Sequence, residues 1–178
     1  MRYKKFTILV SLFVTVSCAV NFKTLQSEDN VYKLSTEEQL KNENYIEAIE
    51  NFYTSGKEGH FTRKANIKIY YKIFRQDKLK SPAILISSGR TEAAIKYKEL
   101  IFDLYNNGYS VYIHDHRGQG LSGRMTEDPD MGYIDTFQFY IDDMKYFYDN
   151  MLNKANHKTD FTIFLNDTKN KSCYLWKQ

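Results

Sequence analysis

Asp115-His116-Arg117-Gly118-Gln119-Gly120-Leu121-Ser122-Gly123-Arg124 comes directly after a short strand-like stretch, Ser110 to His114, and its reading decides the fold. Gly118, Gly120 and Gly123 satisfy the bare G-x-G-x-x-G pattern of a dinucleotide-binding turn. That chemistry needs a helix starting within the glycines, so that its N-terminal N–H groups meet the pyrophosphate. Met125 to Gly132 comes next instead, charged, with a Pro and a Gly and no helical stripe, so a nucleotide is not an expected ligand. Gly118-x4-Gly123 also touches the phosphate-loop pattern, but Arg124-Met125 stands where Lys-Ser/Thr would hold phosphate and magnesium. His114-Asp115-His116 puts two imidazoles on one face of an extended segment and a carboxylate on the other. Two ligands are too few for a metal and no third is evident. A structural role is expected there, and no metal or cofactor.

Outward from this loop the chain alternates strand and helix. On its N-terminal side, Ala83 to Ile86 is a continuous apolar run before Ser87-Ser88-Gly89, as a central parallel strand covered on both faces requires. A helix is expected from about Glu92 to Asn106, with Ile95, Leu100, Ile101 and Leu104 inward and Asn107-Gly108 as its stop. Ser110 to His114 is the next strand. On the C-terminal side, Phe137 to Leu152 reads as a helix with Phe137, Ile141, Met144, Phe147, Tyr148 and Met151 inward, and Phe161 to Leu165 as a third parallel strand. Further back, Ile67, Ile69, Tyr71 and Ile73 alternate with Lys68, Tyr70 and Lys72, a half-buried strand within Phe61 to Phe74 with room for a partner strand just before it. Ser35 with Glu38 three residues later predicts a helix start, carried on by Leu40, Tyr45, Ala48, Ile49, Phe52 and Tyr53 and ended by Gly56 and Gly59. The order strand, helix, strand, helix, strand predicts an α/β sheet.

Beyond the pattern there is a family resemblance. Ser88-Gly89-Arg90-Thr91-Glu92, Lys96-Tyr97-x-Glu99-Leu100, Gly108-Tyr109-x-Val111 and the Asp115–Arg124 string closely resemble bacterial lysophospholipases. These belong to the monoacylglycerol-lipase-like branch of the α/β-hydrolase family. Gly132-Tyr133-Ile134-Asp135-x-Phe137 and Tyr140-x-Asp142-Asp143 extend the resemblance, which runs from about Tyr45 to Leu165. It implies a serine hydrolase acting on carboxylic esters of lysophospholipid or monoacylglycerol, with a lipid or acyl ester as substrate. It also implies that the turn after the Ala83–Ile86 strand gives one backbone donor to an oxyanion hole, which places the candidate at the N–H of Arg90, beside Gly89. Such a donor contributes about 3–4 kcal/mol in working sites. In the family, Asp115, His116, Arg117, Gly118, Gln119, Gly120, Ser122 and Gly123 form the loop motif. Asp115 and Arg117 suit charged hydrogen bonds that pin a tight glycine loop.

The same resemblance requires a nucleophile elbow, G-x-S-x-G, directly after the third parallel strand. Asn166-Asp167-Thr168-Lys169-Asn170 stands there, with no glycine for the turn, and no G-x-S-x-G occurs elsewhere in the 178 residues. Thr168 is the one hydroxyl near the expected place, with nothing to activate it. The family's acid and histidine come after the serine, whereas His60, His114, His116 and His157 all precede its place. No catalytic triad residue is therefore expected. Residues 166–178 read as an aberrant polar tail, and a truncated or frame-shifted reading frame is the expectation for them. The alternative to an enzyme is an exported, non-catalytic lipid-binding or interaction remnant.

The first 20 residues differ in kind from the rest. Met1 to Lys5 is basic, Phe6 to Val16 is apolar and short for a membrane span of about 20 residues, and Ser17-Cys18-Ala19 is small. This is a secretory signal over residues 1–20. Thr15-Val16-Ser17-Cys18 resembles a lipobox with Thr15 in place of Leu, so Cys18 is a lipidation candidate. Plain cleavage and a retained anchor stand as the alternatives. Residues 21–44 form a tether and the start of the N-terminal helix, and 45–165 the hydrolase portion. Export to the periplasm, or anchoring as a lipoprotein at a membrane surface, is the expected location. Hydrophobic residues make up 42% of the chain, which excludes a disordered composition. A net charge of +3, with Lys and Glu interspersed, gives no footprint for nucleic acid. Cys18 and Cys173 are the only cysteines, too few for a disulfide framework.

Overall fold

The computed structural model describes residues 32–77, 81–155, 161–167 and 172–173, all within one compact unit, Tyr32–Gln178. The readings of the leader, of Cys18, of residues 21–31 of the tether, and of His157 and Thr168 lie outside the described residues.

A mixed sheet of six strands organises the unit. The strands are β1 (Lys57–Thr62), β2 (Lys68–Phe74), β3 (Ala83–Ser87), β4 (Ser110–His114), β5 (Phe161–Asp167) and β6 (Ser172–Cys173), and their spatial order is β1-β2-β4-β3-β5-β6. β3 lies parallel to both β4 and β5, while β2 is antiparallel to β4 and to β1. The α/β architecture read from the sequence is therefore present, and the strand preceding β2 is its hairpin partner.

Every residue of β3 and β4 is buried, because helices cover both faces. Alternation sends Ile84, Ile86, Val111 and Ile113 to one side. There they pack with Tyr53 of α1 (Glu43–Ser55) and Ile101 of α2 (Lys98–Asn106). Ala83, Leu85 and Tyr112 go to the other side, against Phe147 of α3 (Gln138–Phe147) and Leu152.

Several local expectations need correction. The capping box sits one residue later than Ser35/Glu38. The Thr36 N–H donates to Gln39 Oε1 and the Gln39 N–H to Thr36 Oγ1, and this box closes a single 3-10 turn, Gln39–Lys41. Asn42 then caps α1 by accepting from the Asn44 and Tyr45 N–H groups. Ser35 is instead drawn to Asp103, donating through its N–H and its hydroxyl (2.9 and 2.6 Å). Helix α1 ends at Ser55, and Gly59 belongs to β1.

The polar side of β2 is solvated only at Lys68. Tyr70 is buried and Lys72 is only 4% exposed. The Lys72 Nζ lies 4.8 Å from the Tyr53 ring and 2.7 Å from the Glu58 carboxylate, so α1 covers the stem while the ammonium keeps an aromatic face and an anion.

Helix α2 starts later than Glu92. A 3-10 turn, Ala94–Tyr97, precedes it, with Ala94 and Tyr97 buried and Ile95 60% exposed. Glu92 is bent back toward Gly89 and cannot join the helix.

Helix α3 keeps most of the predicted inward face: Phe147 is fully buried, and Met144, Tyr148 and Met151 pack on the same core. Its N-terminal part differs, with Phe137 and Ile141 70% and 40% exposed and Tyr140 and Asp143 inward. There Asp143 meets a buried arginine, Arg117. A π turn, Tyr148–Leu152, comes next and resets the phase so that Leu152 is buried. At the far end, β5 runs two residues beyond Leu165, and Asn166 and Asp167 pair antiparallel with Cys173 and Ser172.

Candidate functional site

The two sequence motifs meet at the C-terminal ends of β3 and β4. The turn Ser88–Ala93 leaves β3, and the loop from Asp115 leaves β4; the next helix after that loop is α3, at Gln138. A helix starting within the glycines, which a dinucleotide site needs, is therefore not formed. Asp115 is buried and ties turn to loop. Its carboxylate accepts from the Ala94 N–H at 2.6 Å and the Leu121 N–H at 2.8 Å. Burial pushes this carboxyl above the ordinary carboxylate range, against the pull of those two N–H donors. Gln119 makes a second tie, its Oε1 accepting from the Glu92 N–H at 3.0 Å. Ser122 fastens the loop to the sheet, accepting from the Tyr70 N–H and donating to the Asp115 carbonyl (2.9 and 2.7 Å). The Gly123 N–H donates to the Lys68 carbonyl at 2.7 Å and its own carbonyl accepts from the Gly118 N–H at 2.9 Å.

Arg117 is fully buried and clamps the loop to α3. Its Nε and Nη2 donate to the two oxygens of Asp143 at 2.7 and 2.9 Å, and its guanidinium lies 4.4 Å from the Phe139 ring centre. Asp143 also accepts from Arg63 Nε at 3.2 Å. A bidentate, charge-assisted pair is the strongest hydrogen-bonded link that side chains form between two elements. In the sequence Asp143 stands out only as the end of a motif. Its pairing with residues 26 and 80 positions away carries no local signal.

His114 and His116 share a face, their rings edge to face at 5.0 Å, while Asp115 points the other way. The Ser88 carbonyl lies 2.9 Å from His116 Nε2, and since a carbonyl only accepts, that nitrogen carries the proton. Burial lowers the pKa of both imidazoles, and for His114 the neighbouring His116 adds to it. Among the described residues no three His, Cys, Asp or Glu side chains stand together as a metal site.

The Gly89 N–H donates to the Glu92 carboxylate at 3.0 Å, whereas the Arg90 N–H has no acceptor among the described residues. Arg90 is exposed. Ser87 pairs with Leu165 across the parallel β3–β5 ladder, so the backbone after Leu165 sets out beside this turn. In β5, however, Asn166 and Asp167 continue the strand into its pairing with β6.

The family model described as serine aminopeptidase, S33, matches residues 80–165, from just before β3 to within β5. Lysophospholipase L2 of Escherichia coli strain K12 is 37% identical over 100 residues, which are 56% of this chain and 29% of that protein. These two matches support kinship with the lysophospholipase-like branch of the α/β-hydrolases. The probable lysophospholipase L2 of Haemophilus influenzae is likewise 37% identical over 101 residues, 56% of this chain and 29% of the relative. A soluble variant of monoglyceride lipase from Saccharomyces cerevisiae, solved in complex with a substrate analogue, has the same fold over 63% of this chain and 35% of its own, at a TM-score of 0.53 and 18% identity. The matches to the two lysophospholipases thus span less than a third of those relatives' length. Open α/β folds place their ligands beyond the C-terminal ends of the parallel strands, which here are β3, β4 and β5.

Proposed function

We propose that this chain is built on the frame of a serine hydrolase for carboxylic esters of lysophospholipid or monoacylglycerol, with the Arg90 N–H as one oxyanion donor. The observation that carries the reading is the exposed Arg90 N–H, which has no acceptor among the described residues, in a hydrogen-bonded turn at the end of β3, where Ser87 pairs with Leu165 of the parallel β5. An ester carbonyl seated there would gain negative charge on its oxygen under attack, and a preorganised N–H would stabilise that charge. The lysophospholipase relatives supply the substrate class. The leader and Cys18 fit the same reading, as an exported chain held at a lipid surface by acylation.

Residues 1–178 contain no G-x-S-x-G, and the backbone after Leu165 pairs as a strand where a strained turn would be needed. The chain by itself is therefore proposed to be catalytically silent. A non-catalytic lipid-binding or interaction role is the second reading, because the extension of β5 stands where the elbow would be. With a short-chain p-nitrophenyl ester, the purified 178-residue chain is expected to show no turnover above buffer. Turnover abolished by a serine-directed phosphonate would refute the missing nucleophile. Saturable binding of lysophospholipid without turnover would select the second reading.

A further inference from the structure

The peptide unit between Ser88 and Gly89 is held at both ends by ionisable side chains. Its carbonyl accepts from His116 Nε2 at 2.9 Å, and its N–H donates to Glu92 Oε2 at 3.0 Å. The next N–H in the chain is that of Arg90. We infer that Glu92 and His116 are positioning residues, clamping the Ser88–Gly89 peptide from opposite ends and so aiming the Arg90 N–H at the place where a substrate oxyanion forms; this rests on the ester-hydrolase reading above.

Both side chains are buried, and each is itself fixed. The Glu92 carboxylate takes the Tyr97 hydroxyl on the oxygen that holds Gly89 and the Lys96 ammonium on the other. Burial opposes its ionisation, but Lys96, Tyr97 and the Gly89 N–H outweigh that and hold the carboxyl at about 2. The acceptor is thus an anion at any working pH, and a bond to an anion is stronger than a neutral one. The His116 ring packs against His114 and, at 4.6 Å, against Tyr140 of α3, which fixes its plane. Tyr140 in turn accepts from Gln119 Nε2 at 3.4 Å, and Gln119 Oε1 holds the Glu92 N–H. The loop motif, α3 and the turn therefore form one connected scaffold around a single peptide.

The backbone carries an independent mark of this clamping. Thr91, β-branched, has φ +69°. Such a residue in the left-handed region is strained, and it persists only where the surroundings over-determine it. The residues on either side of the Arg90–Thr91 pair supply that determination, Gly89 through its N–H and Glu92 through both its N–H and its carboxylate.

The test uses the whole 178-residue chain, without substrate, by amide hydrogen exchange and ¹H–¹⁵N spectra. In the wild type the Gly89 amide should be protected and far downfield, as a donor to a carboxylate, and the Arg90 amide should exchange freely. Glu92→Ala should speed Gly89 exchange by about tenfold or more, the loss of one charged hydrogen bond. Val111, Tyr112 and Ile113 in β4 should keep their protection. Glu92→Gln retains an acceptor, so protection should largely return while the Gly89 proton moves upfield with the lost charge. His116→Phe, which keeps a ring but no donor, should shift the Gly89 and Arg90 signals together. Gly89 exchange within about twofold of wild type in Glu92→Ala, or an equal loss throughout β4, would overturn the clamp. If the alanine variant does not fold, an unmoved Gly89 signal in Glu92→Gln overturns it alone. No ester is turned over in these measurements, so they stand or fall separately from the hydrolase reading.

Discussion

Asp143→Ala should cost about 3–5 kcal/mol of folding stability, the loss expected when one partner of a buried ion pair is removed. The reason lies in what remains. Arg117 has no exposed surface, and both of its strong hydrogen bonds end on Asp143. Without that carboxylate a guanidinium stays buried, with only longer contacts to the Lys64 carbonyl at 3.5 Å and to Met125 Sδ at 3.9 Å, and the Phe139 ring. Arg63, which is partly exposed, can turn to water and loses less. A typical domain is stable by about 5–15 kcal/mol, so this one change consumes much of the margin. Urea unfolding of the variant checks it, through a lowered midpoint at an unchanged slope. The double change Arg117→Met, Asp143→Leu should recover a large part of the loss, because it removes the unpaired charge rather than exposing one. A midpoint for Asp143→Ala within experimental error of wild type would show that the clamp between loop and α3 carries no stability.

Gly120→Ala is the second large effect, expected at about 2–4 kcal/mol from strain and from broken buried hydrogen bonds together. Gly120 has φ +48°, which by itself costs an alanine about 1 kcal/mol or more. Steric overlap costs more than the dihedral. A Cβ at this position would stand 2.1 Å from Asp115 Oδ2 and 2.9 Å from the Ala93 Cβ. Asp115 cannot retreat without releasing the N–H groups of Ala94 and Leu121. The turn that carries Arg90 would then lose one of its ties to the loop. Thermal unfolding would report the loss, and the Ala94 amide would lose its protection. A neutral substitution would mean that the loop re-forms around a displaced Asp115.

Local interactions are the ones legible in the sequence. Ala83–Ile86 reads as a buried parallel strand because an unbroken apolar run leaves few other structures, and it and the Ser110–His114 strand both lie in the sheet as expected, with β3 ending at Ser87. The meeting of the Ser88–Glu92 turn with the Asp115–Arg124 loop is not visible in any spacing, since it depends on strand order. The inward turn of Asp143 in α3 could not be read from the sequence, because Arg117 and Arg63 converge on it only in the fold. Lys72 misleads in the same way, as a lysine that reads as exposed but lies under α1. Glu92, read as the first residue of a helix, is the anchor of the turn that comes before it. Asp143 and Lys72 each pair with a charged residue of a different element, and Glu92 takes its N–H acceptor from the loop after β4.

The most direct measurement is lysophospholipid hydrolysis by a chimera that joins residues 32–165 to the part of Escherichia coli lysophospholipase L2 lying C-terminal to its matched segment. With a nucleophile elbow restored after β5, the hydrolase frame should turn over substrate. Arg90→Pro, which deletes the single N–H offered as oxyanion donor, should lower kcat by about 10²–10³-fold with KM little changed. A folded chimera without ester hydrolysis, or an active one whose kcat is indifferent to Arg90→Pro, would contradict the assignment of this turn.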